Sequence, residues 1–370
     1  MRYALKTWHI AILLMTLSLP SIALAVNMDD FKKTYQAYLE AMDTKNWNDA
    51  LALSKTALEQ GLEIFNKDGQ NVANLRLNYA RELNRAGKNE EAAKQLRLCL
   101  EANEQMHGAD SEQVMGVLVE LANVVASKDM AEASKDYARA IAISSKTGND
   151  PLTAKLKFEA GLVLSRYENN KDAEPYLTSA HDYYFHRFGA RDGRSGITAL
   201  NLGKIYAQDG RFRDAHKMLT SALLAFTGKD PIATRFDSGT RRLLVPVLEA
   251  LGRDKDVSDH CIAIARYNAQ GGSSRPELLY RDPKAAIVKN KHTRTTINGA
   301  AQVNLVYTVD EKGRPKDVSV KSSDDPQLNS IAIAFVKSFR YAPAISDDKP
   351  VATPGVEFQY RAGGSSAAAP

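Results

Sequence analysis

The sequence predicts a multi-domain chain, an all-α superhelix of about six helix pairs followed by a small α+β domain of order β-β-α-β. Three observations carry this reading. An alanine returns with a period near 42 residues inside amphipathic helical stretches. Helical periodicity then stops at a Gly- and Ser-rich stretch closed by a proline, residues 268 to 276. Beyond that stretch the apolar pattern alternates as strands do, returns to helical spacing once, and alternates again.

The 370 residues are 44% hydrophobic and 25% charged, which is globular composition and excludes a disordered tail protein. The formal charge is +5, and it falls by two, to about +3, if Arg2 and Lys6 are removed with a leader. Nothing in this balance calls for nucleic acid. Two cysteines exclude both a disulfide framework and a multi-cysteine zinc site, so apolar packing must supply the core.

The first element is an address. Arg2 and Lys6 precede an apolar run from Ile10 to Leu19, then Pro20 and the small-residue sequence Ala23, Leu24, Ala25. That order matches a secretory signal peptide over residues 1–25, and cleavage after Ala25 is expected. The competing reading is a retained inner-membrane anchor, because Trp8 to Val26 is 19 residues and a span needs about 20. An exported chain would lie in the periplasm of a Gram-negative bacterium. That compartment permits a Cys99–Cys261 disulfide, but both cysteines sit on helical apolar faces in different repeats, so buried free thiols are expected.

The repeat region is expected over residues 26–267. Its anchors are Ala50, Ala92, Ala133, Ala173 and Ala215, with Val257 in sixth place, at spacings of 42, 41, 40, 42 and 42. Leu202, Gly203 and Tyr206 precede Ala215, Leu219 and Ala222, and Gly161, Leu164, Ala173, Leu177 and Ala180 repeat that frame one unit earlier. Breaks between paired helices are expected at Gly87, Lys128, Asn169 and Gly210, with Gly148, Gly189 and Gly228 closing second helices. On these residues the region resembles a tetratricopeptide (TPR) array with helices longer than the usual unit. The resemblance implies a concave face lined by first helices, and it places Asn74, Arg81, Arg85, Lys155, Arg166 and Lys204 there. Those donors and cations suit an extended acidic or C-terminal peptide.

After a linker over 268–278, the second domain is expected over 279–362, with a disordered tail over 363–370. Residues 301 to 309 alternate as a strand, Asp310 to Gly313 form a turn, and Val318 and Val320 continue a second strand. Ser323 to Pro326 carry helix-start chemistry, and Leu328, Ile331, Ala332, Phe335, Val336 and Phe339 follow at helical spacing. Val356, Phe358 and Tyr360 mark a last strand. In order, Val309, Asp310 and Gly313, then Phe339, Arg340, Tyr341, Ala342 and Pro343, resemble the C-terminal domain of the TonB family of periplasmic energy transducers, with Phe in place of the family's Trp. Tyr280 and Pro283 stand loosely for its upstream Tyr-Pro element. The resemblance implies a binding mode in which a segment of an outer-membrane receptor adds as a strand beside the last strand. By position that strand is Gly355, Val356, Glu357, Phe358, Gln359 and Tyr360, its free margin taken by a partner, or closed by a second copy of the domain in a homodimer.

No phosphate loop, G-x-S-x-G, H-E-x-x-H or C-x-x-C occurs. His181 and His186, five apart on a helix, do not converge, and four aromatics between and beside them predict a packed patch. Lys284, Lys289, Lys291, His292 and Arg294 form a basic run that reads as solvated linker. The sequence therefore assigns no catalytic residue, no cofactor and no metal ligand. Its leading expectation is a non-catalytic periplasmic adaptor in cell-envelope transport or assembly, binding periplasmic or outer-membrane proteins or extended peptide segments and no nucleic acid. Two alternatives stay open: an inner-membrane-anchored energy transducer, if the leader is retained, and an envelope hydrolase with an unrecognised site.

Overall fold

The computed structural model describes residues 27–227, 231–282, 285 and 301–361. The leader, Gly228, Pro283, the basic residues Lys284, Lys289, Lys291, His292 and Arg294, and the tail lie outside the described residues, along with what the sequence predicts for them. Compactness divides the chain into two units that meet between Val117 and Leu118.

The first unit holds α1 (Met28–Asp43), α2 (Trp47–Ile64), α3 (Gln70–Arg85), α4 (Asn89–His107) and the start of α5 (Glu112–Val125). The second continues through α6 (Met130–Lys146), α7 (Asp150–Arg166), α8 (Asn170–Phe188), α9 (Gly193–Gln208), α10 (Phe212–Ala225), α11 (Pro231–Ala250) and α12 (Asp254–Gln270). All six anchoring positions, Ala50 to Val257, have no exposed surface, and each lies in the first turn of a second helix. A position enclosed in this way leaves little space for a side chain, and five of the six hold alanine. The recurring glycines show the same constraint: a Cβ on Gly161 would stand 2.5 Å from Leu177 Cγ, and one on Gly203, 42 residues later, would stand 2.6 Å from Leu219 Cγ. Neither helix pair has room for a methyl group there.

Polar contacts repeat with the same period. Arg211, at the N-cap of α10, donates to Glu174 of α8 at 2.8 Å, and Arg253, at the N-cap of α12, meets His216 of α10 at 3.0 Å. Gly87, Lys128, Asn169 and Gly210 all fall between paired helices, and Gly148 and Gly189 take positive φ just after α6 and at the C-cap of α8.

The α+β part comprises β1 (Glu277–Tyr280), β2 (Gln302–Val309), β3 (Pro315–Ser323), a 3-10 turn (Pro326–Leu328), α13 (Asn329–Lys337), β4 (Arg340–Ala342), β5 (Ala344–Ser346), β6 (Lys349–Val351) and β7 (Thr353–Arg361). The expected strand, strand, helix, strand order is the frame β2-β3-α13-β7, and it forms a three-stranded antiparallel sheet in the order β3-β2-β7. The buried residues Val303, Leu305, Tyr307 and Val309 of β2 face α13, which contributes Ala332, Phe335 and Val336 to the same core.

Three details differ from the sequence reading. Phe339 is not the last turn of the helix: α13 is capped at Ser338, and Phe339 lies beyond it as a fully buried ring. Two short pairs were not foreseen, β1 with β4 and the hairpin β5–β6. Helix α12 also runs three residues past Tyr267, and β1 begins before residue 279.

The turn after β2 accounts for its own sequence. Asp310 is buried, and its Oδ1 accepts from the backbone N–H groups of Lys312 at 3.0 Å and Arg314 at 2.8 Å. Gly313 sits at φ 78°, and a Cβ there would run into the carbonyl oxygen of Tyr341. Its own carbonyl accepts from the Tyr341 N–H at 2.9 Å, which ties the hairpin turn to β4. Only glycine allows both the left-handed backbone and that approach.

The last helix pair and the β segments share a core. Ala342 and Ile345 bury themselves with Leu244, Val245, Leu248, Val257, Cys261 and Ile264 of α11 and α12. Arg340 crosses this boundary as a buried cation, its Nε 2.6 Å from Glu249 Oε1 and its Nη2 3.4 Å from Asp254 Oδ1. At the other end of β1, Arg242 of α11 grips both carboxylate oxygens of Glu277 at 2.6 and 2.9 Å, and Asn268 donates to the same carboxylate at 2.7 Å.

Candidate functional site

The six residues expected to meet a partner strand all lie on β7. Tyr360 pairs with Val303, Phe358 with Leu305 and Val356 with Tyr307; among the described residues no strand pairs with the opposite flank of β7. The alternation is that of a half-buried strand: Val356, Phe358 and Tyr360 join the core packed under α13, whereas Gly355, Glu357 and Gln359 are exposed. Phe358 is held in place by aromatic edges, 5.0 Å between centroids to Phe339 and 5.9 Å to Phe335. The exposed face is tied along the sheet by Lys321 to Glu357 at 2.8 Å and by Gln359 to Gln302 and Asn304 at 2.9 and 3.1 Å. A rigid strand with one unpaired margin presents its N–H and C=O groups to any extended chain that can reach them.

Sequence reasoning missed a second feature beside this margin. Arg281, just past β1, places its guanidinium carbon 5.4 Å from the Phe358 ring centroid and 5.6 Å from that of Phe339. It also lines an open cavity of about 990 Å³, bounded by Arg242, Tyr267, Asn268, Arg275, Glu277 and Leu278 among others. Among the described residues Glu277 is the only carboxylate of its lining, and its pKa is held below the usual glutamate range, first by the Arg242 hydrogen bond. No sequence signal marks this place, because Arg242 comes from the repeats, Arg275 from the expected linker and Arg281 from the strand region.

On the repeats, Asn74, Arg81 and Arg85 lie on the exposed side of α3 in the first unit. Asn74 accepts from Gln70 at 2.9 Å, and Arg85 is engaged by the buried Glu82 and by the face of Trp47, 4.2 Å from its ring centroid. In the second unit Lys155 and Arg166 are exposed on α7 and Lys204 on α9, with Lys155 3.6 Å from Glu159. The structure thus puts all six on solvent faces of first helices and gives Arg85 a structural contact as well.

The remaining chemistry-bearing groups sit in packing environments. His181 is mostly buried and stacks on Phe185 at 5.7 Å, with its pKa lowered chiefly by burial, whereas His186 is exposed. Cys99 and Cys261 are buried free thiols, pushed up to about 11 and about 12 by burial. Among the described residues no cluster of three or more His, Cys, Asp or Glu is placed to hold a metal ion, and no helix is long and apolar enough to cross a membrane.

Helix pairs with a 42-residue period followed by a β-rich domain with one helix define a TPR-like repeat protein with an appended sheet module. The family model described as Gram-negative bacterial TonB protein C-terminal matches residues 294–362, which contain the Asp310–Gly313 turn, the Phe339–Pro343 element and β7. Among solved structures, BtubC (BKLC) from P. vanneervenii is similar at 18% identity over 67% of this chain and 92% of its own, with a TM-score of 0.48. PilW, a type IV pilus biogenesis factor, is similar at 14% identity over 66% and 95%, with a TM-score of 0.46. YrrB, a TPR protein with an unusual peptide-binding site, is similar at 17% over 58% and 93%, with a TM-score of 0.40. No curated protein matches the sequence. The helical-repeat description therefore rests on the chain's own periodic contacts, and the TonB-like description on the family match together with the turn and closing motif.

Proposed function

We propose that this protein is a non-catalytic periplasmic adaptor in cell-envelope transport or assembly. The β7 margin takes up an extended segment of an outer-membrane or periplasmic protein as an added strand. The solvent faces of α3, α7 and α9 hold other extended, acidic segments through Asn74, Arg81, Arg85, Lys155, Arg166 and Lys204. The observation that carries this reading is the position of β7: a well-packed strand, edge-on in a three-stranded sheet, with one flank unpaired among the described residues. Backbone hydrogen bonding at such a margin gives affinity for any strand, and alternate side chains select among strands.

The test is photo-crosslinking in a Gram-negative cell. A benzophenone amino acid at exposed Glu357 or Gln359 traps the partner; the same probe at exposed Lys316 on β3, the opposite edge, is the control. The reading expects an envelope protein captured from the β7 positions through an extended segment identified by mass spectrometry. Equal capture from both edges, or capture of a second copy of the chain alone, contradicts it. The mature N-terminus, read by mass spectrometry in the same cells, separates the soluble adaptor from the anchored transducer: a chain beginning at Val26 has lost its leader.

A further inference from the structure

Single apolar side chains in water are ordinary on a protein surface, whereas a cluster of them calls for a cover. Among the described residues of the second unit five large hydrophobic side chains are exposed, and four of them, Phe185, Phe188, Leu224 and Ile232, meet at one end of the helices at 39% to 69% exposure. Contacts join them. Arg194, in the first turn of α9, lies 3.6 Å over the Phe188 ring at the end of α8, and Phe185 sits one turn back on the same side of α8. Two residues past Arg194, Gly196 has no room for a Cβ because Ala225 and Phe226 at the end of α10 press on it. Phe226 in turn stacks on Phe236 at 5.0 Å, one turn after Ile232 on α11. The Arg211–Glu174 bond sets α10 beside α8 with an offset of 37 residues, which brings Leu224 level with Arg187, next to Phe188. The rim of this apolar end is basic. Arg187, Arg191 and Arg235 are exposed and make no ion pair among the described residues. The carboxylates near them are largely taken: Arg194 holds both oxygens of Asp192 at 2.9 Å, and Arg241 holds those of Asp237 at 2.6 and 3.0 Å. Asp182, earlier on α8 and 3.8 Å from His181, stays exposed.

We propose that this end of the second unit seats on an anionic membrane surface, with Phe185, Phe188, Leu224 and Ile232 at the acyl boundary and Arg187, Arg191 and Arg235 among the lipid phosphates. The charge pattern selects this occupant. A bilayer containing phosphatidylglycerol offers negative phosphates above an apolar interior at every point of its surface, which is the complement of apolar tips ringed by cations. Arginine suits the rim, because its stem lies along apolar surface while its planar fork binds phosphate oxygens. Four side chains at helix ends reach only the boundary, so the contact is reversible and needs no membrane-spanning helix. The inference goes beyond the adaptor reading and leaves β7 untouched: it gives the repeats a place to rest while the sheet module stays in water.

The experiment uses the full chain with an environment-sensitive nitrobenzoxadiazole label on Ile232→Cys; the native Cys99 and Cys261 are buried and stay unlabelled. Vesicles are phosphatidylcholine with or without phosphatidylglycerol. The expected result is a rise in label emission on phosphatidylglycerol vesicles alone, weakened by added salt, with no rise when the label sits on Lys316→Cys of β3. Because the label reports its own surroundings, a leader that inserts by itself does not imitate this result. Each of Arg187→Gln, Arg191→Gln and Arg235→Gln weakens the vesicle partition about fivefold, the size of one cation at an anionic surface. Phe188→Ser weakens it about tenfold. Thermal unfolding verifies the fold of each variant, and all five positions are exposed, so these changes spare the core. A label that stays in water with both vesicles overturns the proposal. So does an equal response to neutral vesicles, or a response that survives the three arginine changes together. Emission that rises with protein concentration in the absence of lipid assigns the patch to a second copy of the chain and overturns it as well.

Discussion

Replacing Glu249 by Ala tests whether the sheet module is locked to the last helix pair. Glu249 is 16% exposed and Arg340 10%, and their 2.6 Å contact is supplemented by Asp254, which is 62% exposed and 3.4 Å away. Removing one member of a fully buried pair costs about 3–5 kcal/mol, because the other charge is left dry and unpaired. Asp254 and the Phe339 carbonyl, which accepts from Arg340 at 2.9 Å, retain part of the compensation, so about 2–3 kcal/mol is expected here. The converse change, Arg340→Met, costs less at low pH. Burial already raises the Glu249 pKa against the opposing pull of Arg340 and Arg314, and without Arg340 it rises further. A carboxylate with a raised folded pKa destabilises increasingly as pH climbs above its unfolded value, so this variant regains stability between pH 7 and pH 5. Glu249→Ala cannot, since arginine does not give up its proton. Native-state hydrogen exchange of the segment 339–346 reads the effect directly: a loss of 2–3 kcal/mol is roughly 30- to 150-fold faster exchange. Exchange within twofold of the parent chain refutes the lock.

Gly203→Ala sets helix propensity against packing: alanine gains about 1 kcal/mol in a helix interior, whereas the new methyl meets Leu219 Cγ at 2.6 Å and its backbone N at 3.2 Å. Overpacking costs about 1–3 kcal/mol, and because backbone cannot yield as a side-chain tip can, net destabilisation in urea titration is expected; a stabilised variant contradicts the close approach. His260, half-buried beside Arg241 at 3.1 Å, is lowered to about 4 by burial first and by that arginine second. A histidine depressed in the folded state loses stability as pH falls below its unfolded value, so the chain gives up about 1–2 kcal/mol between pH 7 and 5. His260→Gln flattens that slope, and an unchanged slope assigns the acid sensitivity elsewhere.

The repeats were legible because each anchor position is fully enclosed, and the enclosure recurs with the unit. Gly203 and Leu219 belong to one recurring frame in the sequence, but only the structure shows that they meet. The sheet was legible where strands are long: β2 buries every second residue from Val303 to Val309, so alternation alone locates it. The short pairs were not, since three or four residues of β1, β4, β5 and β6 cannot display a period of two. Phe339 fits helical spacing from Phe335 by arithmetic, yet the chain turns at Ser338, and spacing does not report that turn. The docking of Arg340 on Glu249 and Asp254 was invisible for another reason. These partners are 91 and 86 residues apart in sequence, and nothing local marks an arginine as bound for a distant carboxylate. Arg281 escaped likewise, since its neighbours Phe358 and Phe339 converge on it only after the sheet has formed.

Residue-resolved amide exchange across 354–361, in the full chain at a concentration where it is monomeric, goes to the root of the account. If β7 is held by β2 alone, slow amides alternate with fast ones along the strand, and the fast set becomes slow when an extended peptide binds. Uniform protection of every amide from Gly355 to Tyr360 in the free monomer means that the margin is already occupied, and the proposed docking cannot occur there.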